Sequence, residues 1–251
     1  KADSSIPQID KGSLKRVLGV TDLFAVGYGD LGSSIFYALG VTAMFALGAT
    51  PVALMLAGLV FVCTALSYAE MTAMFHESGG SASFARHAFN DLISFVAGWG
   101  LLLDYVVTIA ISAFTIGPYL ASFFPILQYA DAKILFAIAL IAVLFIINYF
   151  GVKQSTRISF LLMIFTIGTQ CLIIGIGVIF ALNLPHIISR MAIGVQGVTW
   201  SPSWHEFLKG TAMAMVAYTG IESIAQLGAE TKKPASTVPR AIIITMFVLI
   251  L

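Results

Sequence analysis

Three acidic residues stand inside apolar stretches of the sequence, where charged side chains are costly. Asp30 follows Val-Gly-Tyr-Gly, Asp104 follows Trp-Gly-Leu-Leu-Leu, and Glu222 follows Tyr-Thr-Gly-Ile. An ionised carboxylate within a membrane helix costs several kcal/mol unless it is paired, hydrated or protonated. We therefore expect these side chains to face an internal cavity, where they could bind a ligand and exchange a proton.

Hydroxyl groups recur at helical spacing from these acids. Tyr37 lies two helical turns after Asp30, and Thr108 and Ser112 follow Asp104 at i+4 and i+8. Thr219 comes three residues before Glu222. Such oxygens could complete a ligand site, although structural roles stay open for all of them.

These structural roles are ordinary ones. Asp30 could cap a helical segment, Thr108 and Ser112 could form hydrogen bonds between packed helices, and Glu222 could accept from a backbone amide or pair with a distant basic residue.

A run of small residues surrounds Asp30. Gly27, Gly29 and Gly32 satisfy the pattern G-x-G-x-x-G, but no strand precedes it and no acid follows about 20 residues later, so a dinucleotide site is not expected. Together with Ser33 and Ser34, the glycines predict a break in the helix that exposes backbone groups to a ligand.

The composition indicates that these residues lie in a membrane protein. Of the 251 residues 59% are apolar and 10% charged, more apolar surface than a soluble fold can bury. Stretches of about 20 apolar residues, long enough to cross the hydrocarbon layer, recur along the chain. We predict spans near residues 20–48, 51–75, 92–124, 133–150, 156–183, 206–229 and 238–251.

The order of these spans predicts the architecture. Interruptions in the first span and in the sixth, at 217–223, fit an inverted repeat with discontinuous helices, the pattern of secondary transporters. Residues 1–18 are expected to form a cytoplasmic tail and 19–251 a transport domain, with the first repeat complete and the second only begun. Since the chain ends within an apolar run, we expect more protein to follow.

Charge and composition also predict orientation and exclude other classes. Only Lys133, Arg190 and Lys209 of the 13 basic residues fall in loops opposite the N-terminus, which places the N-terminus inside the cell. With a net charge of +1 and no basic stripe, nucleic-acid binding is not expected. Neither the two cysteines nor the four histidines fit a metal site, and no H-E-x-x-H or similar enzyme motif occurs. A channel stays open as an alternative.

Several segments resemble the amino acid/polyamine/organocation superfamily of permeases. They are the loop at 75–89, the helix at 97–107 and the stretch from 217 through Pro239-Arg-Ala-Ile. This resemblance implies an all-α membrane protein with a LeuT-like 5+5 inverted repeat and broken first and sixth helices.

Within that superfamily, Tyr28-Gly-Asp-Leu-Gly-Ser-Ser-Ile-Phe-Tyr resembles the helix break of KimA and KUP potassium importers. The resemblance implies K⁺ as the transported metal and H⁺ as the coupling ion, with no other cofactor. It also implies a homodimer and a nucleotide-regulated C-terminal domain beyond this stretch. The residues it implies for binding are Asp30, Tyr37, Asp104, Tyr105, Thr108, Ser112, Thr219 and Glu222.

Electrostatics also favours a cation, because Asp30 would repel the carboxylate of an amino acid at this place. From these arguments we predict a potassium importer working by alternating access in the cell membrane. The alternative is an amino acid or polyamine permease on the same fold.

Overall fold

The computed structural model describes residues 16–75, 77–149, 152–181 and 183–250, and within these ranges the regular secondary structure is helical, with one isolated β-bridge. The helices are α1 (Val20–Ala46), α2 (Thr50–Met74), α3 (Ser81–Ala88), α4 (Asp91–Leu120), α5 (Ala130–Tyr149), α6 (Val152–Ala181), α7 (Leu184–Arg190), α8 (Trp204–Ala214), α9 (Ile221–Gln226) and α10 (Pro234–Ile250). Short 3-10 turns cover Leu47–Ala49, Pro125–Gln128, Met215–Tyr218 and Leu227–Glu230.

Four stretches of the described residues are long and apolar enough to cross a membrane. They are Val20–Met74, which contains α1 and α2, then Asp91–Leu120, Ala130–Tyr149 and Thr156–Phe180. The shorter helix α10 is also apolar. The first five predicted spans therefore correspond to α1, α2, α4, α5 and α6, whereas the sixth is divided between α8 and α9.

The predicted break in the first span is wrong, because α1 runs without interruption from Val20 to Ala46. None of Gly27, Gly29 and Gly32 has a positive φ. The three glycines cost only about 0.5–1 kcal/mol each relative to alanine within a helix, which packing can offset. A Cβ at Gly27 would collide with the side chain of Ile224, so this glycine permits a close approach between helices.

The predicted break in the sixth span is confirmed at Thr219 and Gly220, between the 3-10 turn after α8 and the start of α9. Thr219 is extended, and Gly220 has φ +126°, a conformation that favours glycine. Side chains replace the lost helical bonds. The Gly220 N–H donates to Glu222 Oε2 at 3.2 Å, and the Ser223 hydroxyl donates to the Gly220 carbonyl at 2.6 Å.

The main packed core joins α1 and α2 to α9 and α10. Leu23, Leu31, Ile224 and Ile242 are fully buried in it, and Phe61 is nearly so. On α4, α5 and α6, by contrast, most large apolar side chains are exposed, as expected of helices that face lipid or further membrane helices.

Candidate functional site

Asp30 lies directly against the break in the sixth predicted span. A Cβ built on Gly220 would come within 2.9 Å of Asp30 Cγ and 3.1 Å of its Oδ2, so only a glycine leaves room for this carboxylate. The side chain of Asp30 is half-buried. The uninterrupted α1 thus presents a carboxylate to the one place where the backbone between α8 and α9 leaves the helical conformation.

Two more acidic side chains approach Asp30 from other helices. Glu222 on α9 and Asp104 on α4 are close enough to Asp30 to repel it electrostatically. Among the described residues, the ion pairs are Arg86–Asp91 and His87–Glu77, and neither involves these acids. None of these three carboxyl groups is therefore in an ion pair with a basic side chain in the described part of the chain.

Tyr105 completes this group. It follows Asp104 on α4, and its hydroxyl lies within electrostatic range of Glu222, Asp30, Tyr68 and Asp104. Its hydroxyl is buried and has no hydrogen-bond partner among the residues described. A phenolic hydroxyl can both donate and accept, so this group is available to a bound ligand.

The predicted hydroxyl residues form a second group farther along α1. The Ser33 and Ser34 hydroxyls donate to the Asp30 carbonyl at 2.8 and 3.3 Å, and the Tyr37 hydroxyl donates to Ser34 Oγ at 2.9 Å. Ser33, Tyr37 and Ser112 line one cavity of about 330 Å³ between α1 and α4. The Tyr37 hydroxyl is therefore bonded to Ser34, and the cavity that Tyr37 lines does not have Asp30 among its lining residues.

The remaining predicted site residues are Thr108, Asp104 and Thr219. Thr108 is half-buried on α4 and Asp104 is exposed there. The Thr219 hydroxyl donates to the Val216 carbonyl at 3.0 Å and so serves the helix break itself. Within the described ranges, no three His, Cys, Asp or Glu side chains are grouped closely enough to hold a metal ion.

Space for a ligand lies beside Asp30. A cavity of about 480 Å³ runs along α1 between α4 and α6, within the range usual for small-molecule sites. The residues lining it are Val26, Tyr28, Gly29, Asp30, Gly32, Ser33, Phe36, Ile116, Ser159, Leu162, Met163 and Thr166.

Two residues at this site were not among the site residues predicted from the sequence. Gly220 is the residue at which the chain turns, and Ser223 lies between the Gly220 carbonyl and the Asp30 carboxylate. The sequence did carry a signal, since a Thr-Gly pair inside an apolar run followed three residues later by Ser is typical of an interrupted helix. That the site residues bind a ligand stays a prediction.

Comparison with known proteins assigns the chain to a class. Residues 18–251 match the model of a family described as amino acid permease. An uncharacterized transporter of Mycobacterium tuberculosis is 29% identical over 232 residues, covering 91% of this chain and 49% of the relative. The branched-chain amino acid permease BcaP of Bacillus subtilis is 28% identical over 256 residues, covering 94% and 52%. BcaP of Lactococcus lactis is 29% identical over 265 residues, covering 97% and 55%.

These matches show that the potassium prediction is wrong and favour its alternative. The resemblance to amino acid permeases is confirmed, whereas the closer resemblance to KimA and KUP importers is not supported. The error came from the resemblance of the helix break to potassium importers and from reading Asp30 mainly as a cation ligand, although a carboxylate can serve an ammonium group as well as a metal cation. The matched proteins are transporters and not enzymes. The chain spans about half the length of these curated relatives.

Proposed function

Since the chain belongs to the amino acid permease family, we propose that it is the substrate-binding half of a multi-pass membrane transporter that moves an amino acid by alternating access. The substrate binds in the cavity beside Asp30 that runs along α1 between α4 and α6, next to the break at Thr219–Gly220. The observation that carries this proposal is the packing of the Asp30 carboxylate against Gly220 in a group of acids without a basic partner among the described residues.

The charge of the site determines how the substrate is oriented. An amino acid brings an ammonium group, which donates charge-assisted hydrogen bonds to carboxylates. We assign this group to Asp30 and Glu222, and the substrate carboxylate then points away from both acids. The repulsion between Asp30 and a carboxylate thus fixes the direction of binding and does not exclude amino acids.

The helix order supports a LeuT-like repeat. Five long helices, α1, α2, α4, α5 and α6, would form the first repeat, and the interrupted pair α8 and α9 would open the second in the place that α1 holds in the first. The cytoplasmic position of the N-terminus, the division at residue 18, the coupling ion and the homodimer stay predictions. Residues 1–15 lie outside the described part of the chain.

The test is uptake by the full-length permease reconstituted in liposomes. We expect uptake of at least one labelled amino acid from a panel of branched-chain, acidic and cationic amino acids, with putrescine as a carboxylate-free amine. Replacing Asp30 by Asn should raise KM for that substrate about 10- to 100-fold, because a hydrogen bond to a charged group contributes about 1.5–3 kcal/mol.

The matched control is Asp91→Asn, which removes an acid that pairs with Arg86 in an exposed ion pair. This variant should keep the KM of the unmodified protein. Uptake of putrescine without uptake of any amino acid would show that the substrate is a polyamine and not an amino acid. An Asp30→Asn variant with unchanged KM would show that this carboxylate does not bind the substrate.

A further inference from the structure

The connection between α4 and α5 lies at one surface of the membrane. The helices on either side of it, Asp91–Leu120 and Ala130–Tyr149, are long and apolar enough to cross the hydrocarbon layer, so the residues that join them must leave that layer. In this connection Phe123, Phe124 and Tyr129 are exposed, and tyrosine is enriched at membrane–water interfaces. The first turn of α5 follows directly and therefore lies at the depth of the lipid headgroups.

Lys133 lies in this first turn, where α5 meets α4. A Cβ built on Gly117 of α4 would come within 3.2 Å of the Lys133 Cγ and 3.5 Å of its Cβ. Gly117 is buried and Lys133 is half-buried, so the stem of the lysine packs across the glycine. The stem is thus held against α4 because Gly117 has no side chain.

The ammonium group of Lys133 forms no ion pair with the residues that the structure describes. Asp131 is two positions away in the sequence, and side chains at this spacing do not face each other on a helix. The dipole of α5 also disfavours a positive charge in the first turn and favours an anion there. A bound anion would therefore meet both an unpaired cation and a favourable helix end at this place.

An apolar groove of about 440 Å³ begins beside Lys133 and runs along α5. Its lining on this helix consists of Ile134, Ala137, Ile138 and Ile141, which follow the lysine by one, four, five and eight positions. These positions share one face of the helix, and they extend over about 12 Å at the helical rise. The groove therefore leads from the headgroup level towards the middle of the membrane.

The side of the groove that α4 forms is also apolar. Ile111 and Phe114 line it together with Thr115. The Thr115 hydroxyl donates to the Ile111 carbonyl of its own helix at 2.7 Å, so this hydrogen is not available to a ligand. Because apolar cavities do not hold ordered water, a hydrocarbon chain is the occupant that this lining favours.

We propose that the groove between α4 and α5 binds an anionic phospholipid, with the phosphate on the Lys133 ammonium group and one acyl chain in the groove. The unpaired cation selects the charge of the headgroup, and the apolar groove that continues from it receives the chain. A zwitterionic lipid carries an ammonium group of its own, which the lysine repels, so it binds less well. Lipid binding here does not depend on the proposed function, although α4 also carries Asp104 and Tyr105 of the candidate site.

The test is photo-cross-linking of the full-length permease in liposomes. The liposomes consist of phosphatidylcholine with a small fraction of phosphatidylglycerol that carries a diazirine in one acyl chain. After irradiation, peptide mass spectrometry should find this lipid attached within residues 110–115 of α4 or 134–141 of α5, which line the groove. Phosphatidylcholine with the same diazirine should label these segments about fivefold less, the factor that one lysine near the membrane surface contributes to binding an anionic lipid.

Variants of Lys133 test the headgroup contact. Lys133→Gln should lower labelling by the phosphatidylglycerol probe about fivefold and leave labelling by the phosphatidylcholine probe unchanged, whereas Lys133→Arg keeps the charge and should keep the labelling. Lys209→Gln is the matched control, because Lys209 is an exposed base on α8 that also lacks an ion pair in the described ranges. Equal labelling of Lys133→Gln and Lys209→Gln by phosphatidylglycerol would overturn the proposal.

A bulky substitution tests the acyl-chain site separately. Ala137→Phe places a ring in the groove and should abolish most of the labelling within it by both lipid probes. Ala139→Phe adds the same ring at an exposed position of α5 that does not line the groove, so its labelling should be unchanged. Full labelling of a folded Ala137→Phe protein would show that the chain does not bind there. Because Lys133→Gln removes only a surface charge, the headgroup test remains decisive where Ala137→Phe does not fold.

The unmodified permease supplies the remaining outcome. No labelling of residues 110–115 or 134–141 by phosphatidylglycerol would overturn the proposal, and it would mean that another part of the full-length protein or a second copy covers the groove. Amino acid uptake is measured in the same liposomes. Its absence together with strong labelling of the groove would refute the proposed function and leave the lipid site standing.

Discussion

The two helical segments that meet at Asp30 and Gly220 respond differently to glycine. Helix α1 contains Gly27, Gly29 and Gly32 and stays helical throughout. The segment from α8 to α9 contains Gly210, within α8, and Gly220, and it is interrupted at Gly220. Glycine content therefore does not determine where a membrane helix breaks.

The difference lies in the polar groups that replace the helical hydrogen bonds. At the break, the Glu222 carboxylate accepts from the Gly220 N–H, while the Thr219 and Ser223 hydroxyls donate to the carbonyls of Val216 and Gly220. A backbone group left without a partner in lipid costs several kcal/mol, so a break needs such substitutes.

In α1 the hydroxyls near Asp30 make similar bonds within a helix that continues. Among the described residues beside Asp30, no side chain accepts from a backbone N–H as Glu222 does at the break. Both Ser33 and Ser34 donate to the Asp30 carbonyl three and four residues earlier, a direction compatible with continued helix. The proposed site therefore has one continuous wall, α1, and one wall with a built-in bend.

The largest expected effect comes from Gly220→Ala. At φ +126° an alanine is strained by about 1–3 kcal/mol, and its Cβ would also displace the Asp30 carboxylate. We expect a lower unfolding temperature of the purified permease and loss of most amino acid uptake. Gly40→Ala is the control, because Gly40 is exposed in α1 with open space around its Cα, and it should be neutral or stabilising by up to about 1 kcal/mol. Equal stability of the two variants would remove the distinction between the segments.

Gly27→Ala should have the next largest effect on stability, and it tests why α1 contains a glycine at this position. Its Cβ would collide with Ile224, and overpacking of this kind costs about 1–3 kcal/mol. If close packing is the reason for the glycine, the same substitution should cost little in an Ile224→Ala background. A double-mutant cycle on thermal stability measures this coupling. An unchanged cost in that background would mean that α1 needs the glycine for its backbone.

Part of the fold could be predicted from the sequence alone. Hydropathy predicted the five long helices well, because crossing lipid requires length and apolar composition. The same evidence predicted two interruptions and was correct for one. A run of glycine and serine is compatible with both a break and a tightly packed helix, and only the partner decides between them.

The site shows a similar limit. The sequence singled out Asp30, Asp104 and Glu222 because acids are rare in apolar runs, and in the structure Glu222 and Asp104 lie within electrostatic range of Asp30. It could not assign the ligand, because a carboxylate attracts a metal cation and an ammonium group alike. Gly220 was missed as a site residue, since its importance depends on a φ angle and on the proximity of Asp30.

The smallest expected effect compares one serine from each segment. Ser223→Ala removes the hydroxyl that donates to the Gly220 carbonyl at the break and should lower stability by about 0.5–1.5 kcal/mol, the usual net value of one hydrogen bond. Ser33→Ala removes a donor to a carbonyl within a continuous helix, so the stability change should stay within about 0.5 kcal/mol. Parallel thermal unfolding of both variants measures the difference. A Ser33→Ala cost as large as that of Ser223→Ala would show that side-chain hydroxyls stabilise the continuous helix and the break alike.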